Sequence, residues 1–250
     1  MSLQKGDRSR RPDGTDIEWN GFEWIDVARI DAVDAFLAAS FLAAAETPAE
    51  PSEGPPAPLA DRRNVEDLAR VFEDLLGEVE PEPARSGIVE TPMRAAKAWM
   101  HWTGGYHIDP ASVLKTFEDG ASGCDQMVVV KDIPFYSHCE HHLAPIFGTA
   151  TVGYLPNGKI VGLSKLNRLV DVFARRLQVQ ERLTNQVADA LMKHLEPAGV
   201  GVLIRARHFC MESRGVQHQG CETVTSALHG VFRDDPTVRA EFLDLARNKR

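Results

Sequence analysis

Strand-like segments fall in two groups on either side of one long helical segment, and this order constrains the fold of the chain most. The first group is QMVVVKDI, followed by TATVGYLP and KIVGLS, with Asn157-Gly158 between the last two predicting a tight hairpin. Residues 165–195 keep apolar side chains at helical spacing and predict one long helix. The second group is GVGVLIRARHF and ETVTSALHGVF. Grouped strands predict an α+β fold with an antiparallel sheet rather than a βαβ series.

Helices are predicted at both ends of this region. The first carries its apolar residues on one stripe: Val65, Leu68, Phe72, Leu75 and Leu76. The second begins at TPMRAAKAWMHW, with Thr91 as the N-cap and Pro92 at the first helical position, and stops at Gly104-Gly105. A closing helix is predicted from about Pro236.

Residues 1–60 differ in composition from the rest of the chain. Five prolines fall within residues 48–58, and such a segment holds neither a helix nor a central strand. We expect 1–60 to be a flexible extension with a Pro-rich linker, preceded by an Ala-rich segment that forms a weakly ordered or docked helix. Residues 61–250 are expected to form one domain, with a helical part at 61–120 and a sheet-containing catalytic part at 121–250.

Composition excludes several classes of protein. With 43% hydrophobic and 26% charged residues, the chain has the balance of a globular protein in water. A net charge of -8 argues against a protein that binds nucleic acids or anionic membranes through its overall charge. The longest apolar run, 32–45, is too short to span a bilayer and contains Asp34. Four widely spaced cysteines are typical of a reducing compartment, so we expect a cytoplasmic location.

A cluster of possible metal ligands lies in the segment SHCEHHLAPIFG. Cys139 and His142 are three residues apart, so on a helical turn they share a face while His141 points elsewhere. The segment HFCMESRG offers a third ligand, Cys210. Three protein ligands leave the fourth position of a tetrahedral zinc open to water, which indicates a catalytic site. His141 and His208 are then candidates for moving protons.

Two other interpretations of these cysteines stay open. Cys139 and Cys210 could form a disulfide, although cysteines are sparse in this chain. A purely structural zinc would need a fourth ligand, which Cys221 or His218 could supply.

Cationic residues near these motifs suggest an anionic ligand. Ser164, Lys165 and Arg168 open the long predicted helix, where backbone N–H groups are free to bind an anion. The alternative is a solvated basic helix face. Arg214 follows Cys210 by four residues, and Arg94 lies in another short polar motif. Although the chain is acidic as a whole, its cationic residues are thus concentrated around the metal motif. This pattern favours a polyanion as ligand.

Four motifs together resemble the GTP cyclohydrolase I family, in its zinc-dependent type IA form. They are ETPMRAAKAW, CEHHLAPIFG, GLSKLNRLVDVFARRLQVQERLT and HFCMESRGVQ, and the resemblance extends from about Val65 to Arg250. It implies the tunnelling fold, in which antiparallel sheets backed by helices join into a barrel in a ring-shaped oligomer. The implied assembly is a homodecamer of two pentamers with active sites between subunits. One departure is Cys221, where a small hydroxyl residue is expected.

The resemblance also implies a role for each matching residue. The implied zinc ligands are Cys139, His142 and Cys210, and the implied acid–base pair is His141 and His208. The implied triphosphate contacts are Arg94, Ser164, Lys165, Arg168 and Arg214. The implied base-recognition pair is Gln180 and Glu181.

The implied reaction begins the biosynthesis of folates and pterins. Water opens the five-membered ring of GTP at C8, formate leaves, and a new ring closes to give 7,8-dihydroneopterin triphosphate, with Zn²⁺ as cofactor. One alternative is a zinc-free paralogue of deazapurine metabolism, a nitrile reductase with a nucleophilic cysteine and NADPH. Another is a non-catalytic, zinc-binding regulatory subunit.

Overall fold

A computed structural model describes residues 8–10, 16–19, 24–26, 64–118 and 123–247. The Ala-rich helix and the Pro-rich linker expected from the sequence lie outside the described residues. The chain divides into two compact units at Ala57/Pro58, and each unit is described by itself.

The first unit contains a small antiparallel sheet of three strands. They are β1 (Arg8–Arg10), β2 (Asp16–Trp19) and β3 (Trp24–Asp26), in the order β1-β2-β3. Arg10 pairs with Asp16 across β1 and β2, and its guanidinium Nε donates to the Asp16 carboxylate at 2.6 Å. The sequence analysis did not predict these strands.

The second unit opens with helices. They are α1 (Val65–Val79), α2 (Thr91–Trp102), a 3-10 turn (Gly104–His107) and α3 (Pro110–Val113). The Asn64 side chain accepts from the N–H of Glu66 at 2.9 Å and so caps α1. Thr91 is the first helical residue of α2 rather than its cap, which is Glu90. Leu75, expected on the buried stripe of α1, is 53% exposed.

A five-stranded sheet forms the centre of the second unit. Its strands are β5 (Val128–Cys139), β6 (Pro145–Leu155), β8 (Leu177–Gln178), β9 (Gly199–His208) and β10 (Thr223–Gly230), after a two-residue β4 (Thr116–Phe117) that lies outside this sheet. The order is β10-β9-β6-β5-β8, with every pair antiparallel except β5 and β8. The predicted α+β class with an antiparallel sheet is therefore confirmed.

The hairpin predicted at Asn157-Gly158 does not form. In the described part of the chain, β7 (Ile160–Val161) pairs with β4 rather than with β6. Both edges of β6 are already bonded, to β5 and to β9. The N–H of Val161 instead donates to the Tyr154 hydroxyl at 3.2 Å. The turn at Asn157-Gly158 thus leads the chain out of the sheet.

The single long helix predicted for residues 165–195 is two helices. These are α4 (Leu163–Ala174) and α5 (Gln180–Leu195), and β8 separates them. Leu177 and Gln178 in β8 pair with the last two residues of β5, His138 and Cys139. The buried apolar residues of both helices belong to the main core on one face of the sheet: Leu166, Leu169, Val170, Phe173, Leu183, Val187 and Leu191. The break in the helix therefore places the start of α5 beside the end of β5.

A second, smaller core covers one end of the opposite face of the sheet. Three further helices follow β9. α6 (Phe209–Glu212) lies between β9 and β10, and α7 (Val231–Asp234) and α8 (Pro236–Arg247) follow β10. α8 begins where the sequence predicts. Gly153 and Gly201 are paired across β6 and β9, and a Cβ on either would meet the Phe242 ring of α8 within 3.0 Å. These glycines leave room for the ring. In the described part of the chain, none of the helices combines the length and apolarity needed to cross a membrane.

Candidate active site

A tight turn joins β5 to β6 and carries the Cys-Glu-His-His motif. Cys139 ends β5, and its carbonyl accepts from the N–H of Leu143 at 2.8 Å, which closes one α-helical turn without a following helix. The N–H of Cys139 donates to the carbonyl of Ala144 at 2.8 Å. Leu143 has a φ of 54°, a left-handed conformation that costs on the order of 1 kcal/mol for a residue with a side chain. Paired backbone groups on both sides hold the turn in this shape.

The structure brings Cys139, His142 and Cys210 together. One ligand atom from each lies within 4.8 Å of the others. Cys210 reaches this point because β9 pairs with β6, which sets His208 opposite Ile146, and α6 then turns the chain toward the end of β5. Among the described residues, this is the one cluster of at least three such side chains with metal-binding spacing.

The donor set fits a zinc ion. The Cys139 Sγ lies 3.6 Å from the His142 Nδ1. Zinc–ligand distances of about 2.3 Å to sulfur and about 2.0 Å to nitrogen, in a tetrahedral arrangement, set two such atoms about 3.5 Å apart. Burial raises the pKa of the Cys210 thiol, and the neighbouring Cys139 raises it further. A divalent cation would stabilise both thiolates where burial and mutual repulsion oppose them.

The alternatives left open for the cysteines are not adopted. Cys139 and Cys210 are both free thiols. Cys221 and His218 are exposed, and neither belongs to the cluster found among the described residues. The donor set therefore has three protein ligands.

His141 does not point away from the cluster, contrary to the expectation from helical spacing. Its Nδ1 lies 3.8 Å from the Cys139 Sγ, and its Nε2 lies 3.9 Å from the Glu140 carboxylate. The side chain is 63% exposed. His141 thus borders the metal cluster on its solvent side, where it can exchange protons with a bound molecule.

His208 is the last residue of β9 and lies two residues before Cys210 in the chain. Its Nε2 lies 2.8 Å from the Oε1 of Gln180, the first residue of α5. Burial lowers the pKa of His208, and the negative charge of Glu181 partly opposes this effect. Gln180 is buried, whereas Glu181 is exposed beside His208. Of the pair expected to read a base, only Glu181 presents its side chain to solvent.

Arg182 joins the start of α5 to the metal-binding turn. Its guanidinium is bonded to the carboxylate of Glu140, and its Nε donates to the Gln178 Oε1 at 3.3 Å. The N–H of Glu140 donates to the carbonyl of Gln178 at 3.1 Å. The guanidinium of Arg182 is therefore paired with Glu140, across the gap between α5 and the turn that follows β5.

Glu140 and Arg182 were not predicted from the sequence as supporting residues. Their positions in the sequence were a signal, because Glu140 stands between Cys139 and His141, and Arg182 directly follows Glu181. What joins them is β8, and its pairing with β5 was not predicted.

Of the cations expected to bind an anion, Arg214 lies at the cluster. Its guanidinium is 3.0 Å from the His142 Nε2, and the residue is exposed. Ser164, Lys165 and Arg168 lie instead in the first turns of α4. The last residue of α4 leads into β8 beside Cys139, and the 12 residues of the helix span about 18 Å, so Ser164 and Lys165 lie at the far end of α4 and Arg168 near its middle. Arg94, on α2, is paired with Glu90.

Comparison with known proteins identifies the family. A sequence model described as GTP cyclohydrolase I matches residues 68–247, most of the chain. The chain belongs to the GTP cyclohydrolase I family. The recognition made from the four motifs is confirmed, and with it the assignment as an enzyme of that family.

Curated relatives from distant organisms agree. GTP cyclohydrolase 1 of Janthinobacterium sp. is 66% identical over 165 residues, 66% of this chain and 83% of the relative. That of Nitrosospira multiformis is 59% identical over 177 residues, 71% of this chain and 93% of the relative. The human GTP cyclohydrolase 1 is 44% identical over 222 residues, 80% of this chain and 88% of the relative.

Proposed function

We propose that this chain is a zinc-dependent GTP cyclohydrolase I. It opens the imidazole ring of GTP at C8, releases formate and closes a new ring to give 7,8-dihydroneopterin triphosphate. The observation that carries the proposal is the approach of Cys139, His142 and Cys210 to within 4.8 Å in a chain of this family, with the charge of Glu181 acting on His208, two residues before Cys210.

The proposed metal is held by Cys139, His142 and Cys210. A zinc ion bound there would supply the Lewis acidity for activating water, and a set of three protein ligands is typical of catalytic rather than structural zinc. Cys139 is buried and Cys210 is half-buried, so the protein shields part of both side chains from solvent.

The two histidines outside the donor set carry protons in this proposal. One water adds to C8 and the C8–N9 bond breaks, which requires a proton at N9. A second water then cleaves the C8–N7 bond and releases formate, which requires a proton at N7. His208 lies two residues before Cys210 and His141 two residues after Cys139, so we propose that the two histidines serve different positions of one bound ring. His141 is open to solvent, so it can also return protons to water.

Glu181 reads the base in this proposal. Guanine presents two adjacent donors, N1–H and the 2-amino group, and a carboxylate offers two acceptor oxygens to match them. Adenine has an unprotonated N1 at that edge and lacks the 2-amino group. The Glu181 side chain is exposed at the start of α5, and Arg182 beside it is already bonded to Glu140. Both of its oxygens can therefore meet a ligand.

A second copy of the chain completes the proposed site. Arg214 can reach the phosphates from the metal side. Ser164 and Lys165 lie at the end of α4 away from Cys139, and Arg168 lies near the middle of that helix, so we propose that a neighbouring subunit contributes all three, with Arg94. The full assembly proposed is the homodecamer of two pentamers that the resemblance implies. Residues 1–60 are proposed to be accessory to this assembly, and a cytoplasmic location stays a prediction.

A turnover assay with two nucleotides tests the function. Zinc-loaded protein should release formate from GTP and give a fluorescent pterin after oxidation. It should leave ATP unchanged, since a site built for donors rejects an analogue lacking them by roughly 10⁴- to 10⁵-fold. Glu181→Ala should keep zinc and lose useful GTP binding, because it removes the two acceptor oxygens. A wild-type KM for GTP in Glu181→Ala would show that the base is read elsewhere. NADPH-dependent reduction of a nitrile, or zinc binding without turnover, would favour the two alternatives.

A further inference from the structure

The carboxamide of Gln180 is fully enclosed between the sheet and α5. The residue is 1% exposed. Its Nε2 lies 3.2 Å from the carbonyl of Ile204 in β9, 3.0 Å from the carbonyl of Thr223 in β10 and 3.1 Å from the Thr225 hydroxyl. On its other side, the Oε1 lies 2.8 Å from the Nε2 of His208.

The partners of Gln180 allow its amide only one orientation. Backbone carbonyls accept hydrogen bonds and cannot donate, so the NH₂ group must face Ile204 and Thr223. A flipped amide would set its oxygen against two carbonyl oxygens and leave buried polar groups unpaired, which costs about 1–3 kcal/mol for each group. The Oε1 therefore faces His208. Because this oxygen only accepts, the proton of the bond belongs to the His208 Nε2.

We infer that Gln180 is a positioning residue for His208: it holds the ring in one orientation and keeps a proton on Nε2, so that Nδ1 is the atom free to face the substrate. The inference rests on the proposed function for the role of His208 as a proton carrier. It replaces the base-recognition role expected for Gln180. Both N–H donors of the amide are engaged within the protein, and the burial of the side chain keeps its oxygen from a ligand.

A matched pair of substitutions separates positioning from packing. Gln180→Met keeps the length of the side chain and removes the acceptor. Thr184→Val is the control: Thr184 lies one turn later in α5, is equally buried, donates to the Gln180 carbonyl at 2.7 Å and lies 2.6 Å from the Thr225 hydroxyl, so its substitution changes the packing around Gln180 but leaves the acceptor for His208 in place. Zinc content, oligomer size, KM for GTP and kcat are measured for both, alone and combined with His208→Ala.

The inference predicts a loss confined to kcat. Gln180→Met should keep zinc and a KM within about threefold of wild type while kcat falls about 10- to 100-fold, the usual effect of removing a partner that orients an active-site histidine. In the His208→Ala background, the same substitution should cost nothing further. Thr184→Val should keep kcat within about twofold of wild type, as expected where the site geometry is intact.

Three results would overturn the inference. They are a raised KM at unchanged kcat in Gln180→Met, an equal loss of kcat in the His208→Ala background, and an equal loss in Thr184→Val. A crystal structure of Gln180→Met provides a readout without turnover: the His208 ring should leave its wild-type orientation, and a ring unchanged at full occupancy contradicts the inference. Wild-type protein that releases no formate from GTP would count against the proposed function, while the crystal structure still decides the role of Gln180.

Discussion

The guanidinium of Arg182 is bonded to the carboxylate of Glu140, and this bond fastens the first turn of α5 to the turn between β5 and β6. Glu140 lies between Cys139 and His141, so the ion pair acts on the segment that provides two of the proposed zinc ligands. The pair is partly shielded, with 43% of the Arg182 side chain and 32% of the Glu140 side chain exposed.

Removing this ion pair should weaken the metal site without unfolding the protein. Arg182→Met and Glu140→Gln should each lower zinc affinity about 10- to 100-fold, since partners that orient metal ligands typically contribute that much. Zinc affinity is measured by competition with a chromophoric chelator. Arg70→Met is the matched control, because it removes the exposed ion pair of Arg70 with Asp67 on α1. Equal affinity in Arg182→Met and Arg70→Met would contradict the role of the pair.

Replacing His141 should separate proton transfer from metal binding. His141→Ala should keep one zinc per chain and lose about 10²- to 10⁴-fold in kcat, the usual contribution of a general acid or base. Metal analysis and GTP turnover are measured on the same preparation. His218→Ala, an exposed histidine outside the metal cluster, should change neither value. Loss of zinc from His141→Ala would move that histidine among the ligands.

Two inactive variants should restore activity when their subunits mix. Lys165→Ala removes a proposed phosphate contact, and Cys210→Ser removes a proposed metal ligand. If each site takes these residues from different copies, random mixing in equal amounts rebuilds about a quarter of the sites. Co-expressed, differently tagged chains are purified through both tags and assayed with GTP. Mixed oligomers as inactive as the parent variants would place both residues in the site of a single chain.

Removing the extension should leave the enzyme intact. The family match begins at residue 68, and the compact second unit begins at Pro58. Deletion of residues 1–58 should therefore give a protein with the same zinc content and GTP turnover as the full chain. Light scattering after size-exclusion chromatography measures its assembly. A truncated protein that aggregates or runs as a monomer would show that the extension takes part in assembly.

The fold was predictable where local patterns decide it. A helical stripe of apolar residues predicted α1, and the start signal at Thr91-Pro92 predicted α2. Strand-like runs predicted β9 and β10, and α8 begins at Pro236, where a closing helix was expected. The errors concern partners distant in sequence. Asn157-Gly158 fits a hairpin turn, yet β6 already has a strand on each edge, so β7 pairs with β4. The helical period runs unbroken through Leu177, whose pairing with His138 ends α4 and begins a new helix.

The site shows the same division. The spacing of Cys139 and His142 and the position of Cys210 were enough to predict that these three side chains form one cluster, and the structure contains that cluster. The environment of Gln180 was not predictable, because its four partners come from β9 and β10, 24 or more residues away along the chain. Hydrogen-bond partners of buried amides depend on strand register, which sequence periodicity does not determine.

Zinc content and GTP turnover in Cys210→Ser, measured together, test the central claim most directly. Serine keeps the size of the side chain but replaces the thiolate with a hydroxyl, a much poorer zinc ligand. Wild-type protein should hold one zinc per chain and release formate from GTP. Cys210→Ser should fold and assemble as wild type, as shown by circular dichroism and light scattering, and should lose zinc and turnover together. Full zinc occupancy in Cys210→Ser, or wild-type turnover without zinc, would contradict the account.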